Sequence, residues 1–378
     1  MSNRPPASRQ LAYLTPWFED VSQARMESLG VSGGFSGAVI WRVSVAGTEL
    51  CLRRWPQVHP SLNGLMAMHG LLQHVSAAGF DRVPVPLSTR FGETYFVNED
   101  HLWELTPWLP GKPLLSSAPT QTRLSAALKV LAQFHQLAET YQYQQSKPTA
   151  APSPGLLERL ATLQRLQRGE LQHFWQATRA AEASDLRELA FELLEGIGHS
   201  VNAVGAYLEQ VARIPLPLQW CLRDVRHDHI LFGDEQVTGL LDFGAVAVES
   251  VAGDVARLLG SLANEDQEIW PHGIEAYERH RPLATAERQA IVGFDRGGVI
   301  CSAANWVRWL FVEGRSFPQI HALHDQLVWL RTRLQALAAI TSASVGEAIA
   351  GPTWDRSRAS GMHRAAPRSG HESPWMHT

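Results

Sequence analysis

The feature that most constrains this chain is the run CLRDVRHDHILFGDEQVTGLLDFG, residues 221–244, where acids and histidines crowd against two short apolar runs. Residues 229–232 and 237–241 are apolar and partly β-branched, and the Gly-Asp-Glu-Gln between them is a turn signal, which predicts a hairpin. If Phe232 faces Val237 across that turn, antiparallel register puts His227 beside Asp242 and His229 beside Leu240. Asp224 and Arg226 precede the first strand, and Asp242, Phe243 and Gly244 follow the second. Several charges therefore converge at one loop-rich edge, an arrangement that is costly without a cation or a phosphate to neutralise it.

A chain of 378 residues with 45% hydrophobic and 19% charged residues can bury a large core, in two domains or lobes. The formal net charge of -4 gives no electrostatic reason to expect nucleic acid or a membrane as partner, so any phosphate site must be local. Cys51, Cys221 and Cys301 are far apart and lack metal-ligand spacing, as expected of reduced thiols. The N-terminus has no apolar signal core and no run approaches a membrane span, which makes the cytoplasm the expected location.

Along the chain, residues 11–30 carry apolar positions at helical spacing and are expected to form a helix ending at Gly30. Gly33, Gly34, Ser36 and Gly37 then precede an alternating run at 39–45, a turn at Gly47 and a second strand at 49–55 that contains Arg53. Glycines before a strand let backbone amides approach phosphate oxygens, and an ordinary turn would look the same. Prolines extend the segment 83–86, strands are expected at 94–97 and 102–106, and Pro107, Trp108 and Leu109 follow as a linker. From residue 120 the pattern becomes helical, including 156–176 and 185–211, with an aromatic run at 305–311 read as core. The stretch 144–155 reads as a polar loop and residues 342–378 as a disordered tail.

The order of these motifs resembles the aminoglycoside phosphotransferase and choline-kinase-like branch of the protein-kinase fold. The resemblance covers roughly residues 30–340 and implies an α+β, bilobal architecture: a small antiparallel-sheet lobe, residues 1–109, on a mostly helical lobe, residues 110–341. It further implies ATP or GTP between the glycine-rich loop and a hinge at Pro107, Trp108 and Leu109, with Trp108 or Leu109 donating a backbone bond to the base. Arg53 stands where the family places its phosphate-binding base. Asp224 stands as the catalytic base, His229 and Asp242 as ligands of Mg²⁺ or Mn²⁺, and Asp254 as the buttress of the catalytic loop. The acceptor would be a hydroxyl of a small molecule; its identity and the oligomeric state are not legible.

Three positions depart from the family pattern. Leu222 replaces His two residues before Asp224, Arg223 replaces Gly, and His229 replaces Asn. The helix that the resemblance implies over 61–77 also lacks the Glu that would pair with the phosphate-binding base, so Arg53 has no visible partner. A catalytically degenerate nucleotide- or metabolite-binding protein is the alternative, and a transition-metal site of Asp224, His227, His229 and Asp242 is a second one.

Overall fold

The computed structural model describes residues 11–30, 37–114, 119–143, 150–263, 269–317 and 319–339. Gly33, Gly34 and Ser36, the residues 342–378 expected to be disordered, and residues 144–149 of the loop 144–155 lie outside that set.

Five antiparallel strands form the first layer: β1 (Arg25–Gly30), β2 (Val39–Val45), β3 (Thr48–Arg54), β4 (Phe96–Asn98) and β5 (His101–Pro107), in the order β1-β2-β3-β5-β4. Alternation sorts their side chains. Val43, Leu50, Leu52, Trp103 and Leu105 enter a core with Leu14 and Trp17, which leaves Cys51, Arg53 and Glu104 on the opposite face. The helix expected over residues 11–30 is not there. Ala12–Leu14 make one 3-10 turn and Arg25–Gly30 pair with β2, because the ladder offered by β2 outweighs a weak helical spacing.

Helix α1 (Leu62–Ala77) starts where Ser61 accepts a hydrogen bond from Gly64 N, and it packs its buried face into the large core of the helical layer. After β5 the chain makes a short strand, β6 (Lys112–Pro113), then α2 (Gln121–Ala138), β7 (Ala151–Pro152), α3 (Pro154–Arg165), α4 (Leu171–Ala180) and α5 (Asp185–Val211). The helix expected over 156–176 is thus two helices, broken at Gly169, whose φ of 128° no helix accommodates. Strands β8 (Pro215–Leu216), β9 (Gln219–Cys221), β10 (Ile230–Gly233), β11 (Gln236–Leu240) and β12 (Ala247–Glu249) follow, then α6 (Val251–Ala263), α7 (Ile269–Glu278), α8 (Thr285–Val307) and α9 (Ile320–Ala338). Trp306 is buried and meets Trp309 and Phe317 edge-on at 5.1 Å, so the aromatic run is core.

The hairpin forms as expected with one correction. Phe232 faces Val237, but a bulge at Thr238 shifts the register, so Ile230 faces Leu240 and Leu241 N bonds His229 O. His229, not His227, therefore lies next to Asp242. The bulged Thr238 donates to Pro110 O, and Gly111 (φ 109°) makes room for it: a Cβ there would fall 2.3 Å from Thr238 Oγ1. The bulge thereby fixes the chain leaving β5 against the β10–β11 hairpin. Among the described residues no helix is long and apolar enough to cross a membrane.

Candidate active site

The loop between β9 and β10 is clamped from below. Asp254, in the first turn of α6, accepts from Leu222 N at 2.7 Å and Arg223 N at 2.6 Å, and from His135 Nε2 at 3.0 Å. His135 Nδ1 in turn takes the Tyr277 hydroxyl proton in a 2.7 Å bond. Because the carboxylate can only accept, the imidazole is a neutral Nε2–H tautomer, and burial holds its pKa below the ordinary value against the pull of Asp254. Two departures gain meaning here. Leu222 contributes its amide rather than a side chain, and Arg223 adopts φ +66°, a conformation glycine takes freely and an arginine takes at a cost of roughly 1–2 kcal/mol. The two amide bonds to Asp254 hold it there.

The clamp delivers Asp224 to the mouth of a cleft. Its Oδ1 accepts from Arg257 Nη2 at 2.7 Å and Nε at 3.1 Å, while its backbone carbonyl accepts from His229 Nδ1 at 2.7 Å. That second bond sets a tautomer. Nδ1 must carry the proton, so in the neutral ring Nε2 presents a lone pair, and it lies 3.6 Å from Asp242 Oδ2. A nitrogen lone pair facing a carboxylate oxygen at that separation fits a divalent cation between them. Asp242 itself sits at φ +59°, followed by Phe243, which is buried against Phe134. The four-residue transition-metal arrangement does not form. Among the described residues the group of three potential ligand atoms mutually within 4.8 Å is His135, Cys221 and Asp254, all buried and all engaged in hydrogen bonds. His227 is instead pinned through its backbone N to Ser261, and Asp228 forks onto Arg226, which holds the carboxyl below its usual range although burial raises it.

Arg53 does have a carboxylate. Its direct cross-strand neighbour on β5 is Glu104, and Nη1 stands 3.6 Å from Oε1. The other carboxylate oxygen accepts from His69 Nε2 of α1 at 2.7 Å, and His69 Nδ1 meets Thr94 Oγ1 at 2.8 Å. Burial alone would raise the Glu104 pKa, but the His69 bond and the Arg53 charge bring it below the usual range. The acid missing from the helix is supplied by the neighbouring strand, and the helix contributes an imidazole. Cross-strand partnership was the available sign, since both residues fall at matching positions of adjacent strands. The Trp55 ring covers the Arg53 guanidinium at 4.7 Å and also lies over Gly244, where a Cβ would come within 3.0 Å of it. Arg53 also feels the Asp242 charge, so the sheet and the Asp-Phe-Gly segment face each other across this corner.

At the hinge, Pro107 ends β5, and Trp108 N donates to Glu49 O at 3.1 Å while its ring stacks on Arg42 at 5.1 Å. Trp108 is therefore corrected as a donor to a nucleotide base, since its one amide proton is already committed; the Leu109 amide is the remaining candidate. Of the glycine-rich loop, Gly37 is described and has φ +79°.

Beyond Asp224 the cleft opens to about 990 Å³ between the catalytic loop, α3, α6, α8 and α9, with Arg159, Arg223, Arg257 and Arg308 among its lining. A volume of this size suits a small metabolite.

This geometry has relatives. Residues 28–290 match the model of the phosphotransferase enzyme family. A homoserine kinase of Gluconobacter oxydans is 27% identical over 239 residues, 61% of this chain and 66% of that protein, so the chain spans just under two thirds of that relative's length. Among solved structures, an aminoglycoside phosphotransferase from Alicyclobacillus acidocaldarius superposes with a TM-score of 0.61 at 18% identity, covering 92% of this chain and 98% of its own. An amicoumacin kinase solved with AMP-PNP and Ca²⁺ gives 0.61 at 12%, covering 90% and 97%. At such identities the solved structures speak for the fold, while the family match takes in more than half of the sequence. The chain belongs to the phosphotransferase enzyme family.

Proposed function

We propose that the protein is a small-molecule kinase that moves the γ-phosphate of ATP or GTP to a hydroxyl of an acceptor held in the cleft beside Asp224. The observation that carries this is the position of His229, which bonds the Asp224 carbonyl through Nδ1 and sets Nε2 3.6 Å from Asp242 Oδ2, while the Asp224 carboxylate lines the cleft. The acceptor oxygen attacks the γ-phosphorus, the bond to the bridging β–γ oxygen breaks, the nucleoside diphosphate leaves, and the hydroxyl proton passes to Asp224. Arg53, fixed by Glu104 and Trp55, is suited to a phosphate oxygen because its guanidinium is planar and always charged. A divalent ion, Mg²⁺ or Mn²⁺, held by His229 Nε2 and Asp242 would neutralise phosphate charge. Arg257 holds the Asp224 carboxylate in place until an acceptor arrives.

The nucleotide would lie between the glycine-rich loop and the Leu109 amide, on the dividing line between residues 1–109 and 110–341. The homoserine kinase relative suggests an acceptor to try first: homoserine, a short chain with a hydroxyl. The test is mass-spectrometric detection of phosphorylated acceptor with ATP or GTP and either metal. Nucleotide binding by calorimetry with no transfer to a broad acceptor panel would favour the degenerate alternative; absence of nucleotide binding would remove both.

A further inference from the structure

The cleft beside Asp224 holds a surplus of guanidinium groups at its inner end. Its inner carboxylates are already taken: Asp224 by Arg257, Asp228 by Arg226 and Asp295 by Arg333. Arg159 is the exception among the cations. It is partly buried on α3, its Nη1 donates to Gly155 O at 2.9 Å, its guanidinium lies 4.9 Å from the Phe294 ring centre, and Nε is sealed off with no acceptor. Among the described residues no carboxylate comes within ion-pair distance of it. Space for this side chain is built in, since a Cβ at Gly297 would fall 3.2 Å from Arg159 Cδ. Burial lowers its pKa, and the nearby Arg257 charge acts in the same direction against the more distant Glu249 and Glu158.

Arg223 gives an independent sign. Its backbone is held at positive φ, where glycine would sit without strain, and its side chain lines the same cleft. Its nearest carboxylate is the exposed Glu158, at 4.0 Å. An arginine kept in a strained conformation beside an unpaired arginine, on the acceptor side of Asp224, needs an occupant of opposite charge.

Resting on the reading of this cleft as the acceptor site, we propose that the acceptor is a hydroxylated anion, its carboxylate or phosphate group received by Arg159 and Arg223 while its hydroxyl is presented to Asp224. A polycationic acceptor meets the wrong sign here, because the inner acids that would bind it are already neutralised.

The test compares acceptors of differing charge on two carbon frames: glycerate, glycerol phosphate, glycerol and aminopropanediol, and gluconate, glucose phosphate, glucose and glucosamine. Phosphorylation with ATP is followed by mass spectrometry, and the carboxylate and phosphate members separate the two kinds of anion. Anionic members are expected to be used with the higher kcat/KM. Arg159→Gln and, separately, Arg223→Gly are expected to raise KM for them about tenfold or more, with ADP affinity by calorimetry unchanged. Arg223→Gly relieves the backbone and so cannot be dismissed as a folding defect. Neutral or cationic members used as well as the anions, no anion used at all, or an unchanged KM in both variants, each with nucleotide binding intact, overturns the anionic acceptor and leaves the kinase reading standing. Loss of ADP binding by the wild type overturns the kinase reading, and this proposal with it.

Discussion

Arg53 Nη1 lies 3.6 Å from Glu104 Oε1, and the two are direct cross-strand neighbours, so this cation takes its carboxylate from the sheet and not from the following helix. Glu104 is shared with His69, which makes the pair asymmetric. Removing Arg53 leaves Glu104 with a hydrogen-bond donor. Removing Glu104 leaves a partly buried cation without its carboxylate and the Nε2 of a buried imidazole without its partner.

From that asymmetry, Arg53→Ala is expected to weaken ADP and AMP-PNP affinity about tenfold with a small change in melting temperature. Glu104→Ala is expected to cost about 3 kcal/mol of stability. Calorimetry and thermal melts on the two variants check this; equal destabilisation by both would contradict the shared-carboxylate arrangement.

Asp224→Asn keeps shape and removes the proton acceptor. Nucleotide affinity is expected to stay within about twofold of the wild type while phosphoryl transfer falls by ~10²-fold or more. Single-turnover kinetics beside calorimetry separates the two, and a variant that still transfers at the parental rate would remove Asp224 as the base.

His229 presents a nitrogen where the family pattern has a carboxamide oxygen. Mn²⁺ is expected to support nucleotide binding at least as well as Mg²⁺, and His229→Asn to move the preference toward Mg²⁺. Thermal shifts with nucleotide and each metal report this without turnover; an unmoved preference would place His229 outside the coordination shell.

His135 makes stability depend on pH. Its folded pKa lies below the ordinary 6.5, so the unfolded chain takes up the proton first. The stability it contributes is complete above about 6.5 and is lost as pH falls from there toward the folded value. Melting temperature is expected to drop between pH 7 and 5, and His135→Gln, which keeps a donor for Asp254, to flatten that slope while lowering stability at pH 7. A slope identical to the wild type would assign the effect to other groups.

The hinge offers a contrast between neighbours. Trp108→Ala is expected to leave nucleotide affinity unchanged, because the ring stacks on Arg42 and the amide is spent on Glu49. A tenfold loss in calorimetry would return Trp108 to the site.

The sequence by itself determined the pieces whose signals are local. The 229–241 hairpin, the 185–211 helix and the strand alternation around Arg53 follow from periodicity and turn residues along a few residues of chain, and resemblance to a family's motif order singled out Asp224, His229, Asp242 and Asp254. Only the tertiary structure decided what those residues meet. The bulge at Thr238 exchanged His227 for His229 beside Asp242, because inserting one residue changes which side chain lies opposite which. The ladder of β2 turned residues 25–30 from helix into strand, and the same sheet brought Glu104 to Arg53 across about fifty positions of chain. Packing made His135 the support of Asp254, and it left Arg159, one basic position in a helix, without a carboxylate partner in the cleft. Pairing across a sheet or a core is set by which surfaces bury each other, and that is a property of the whole packed chain that no local window of sequence contains.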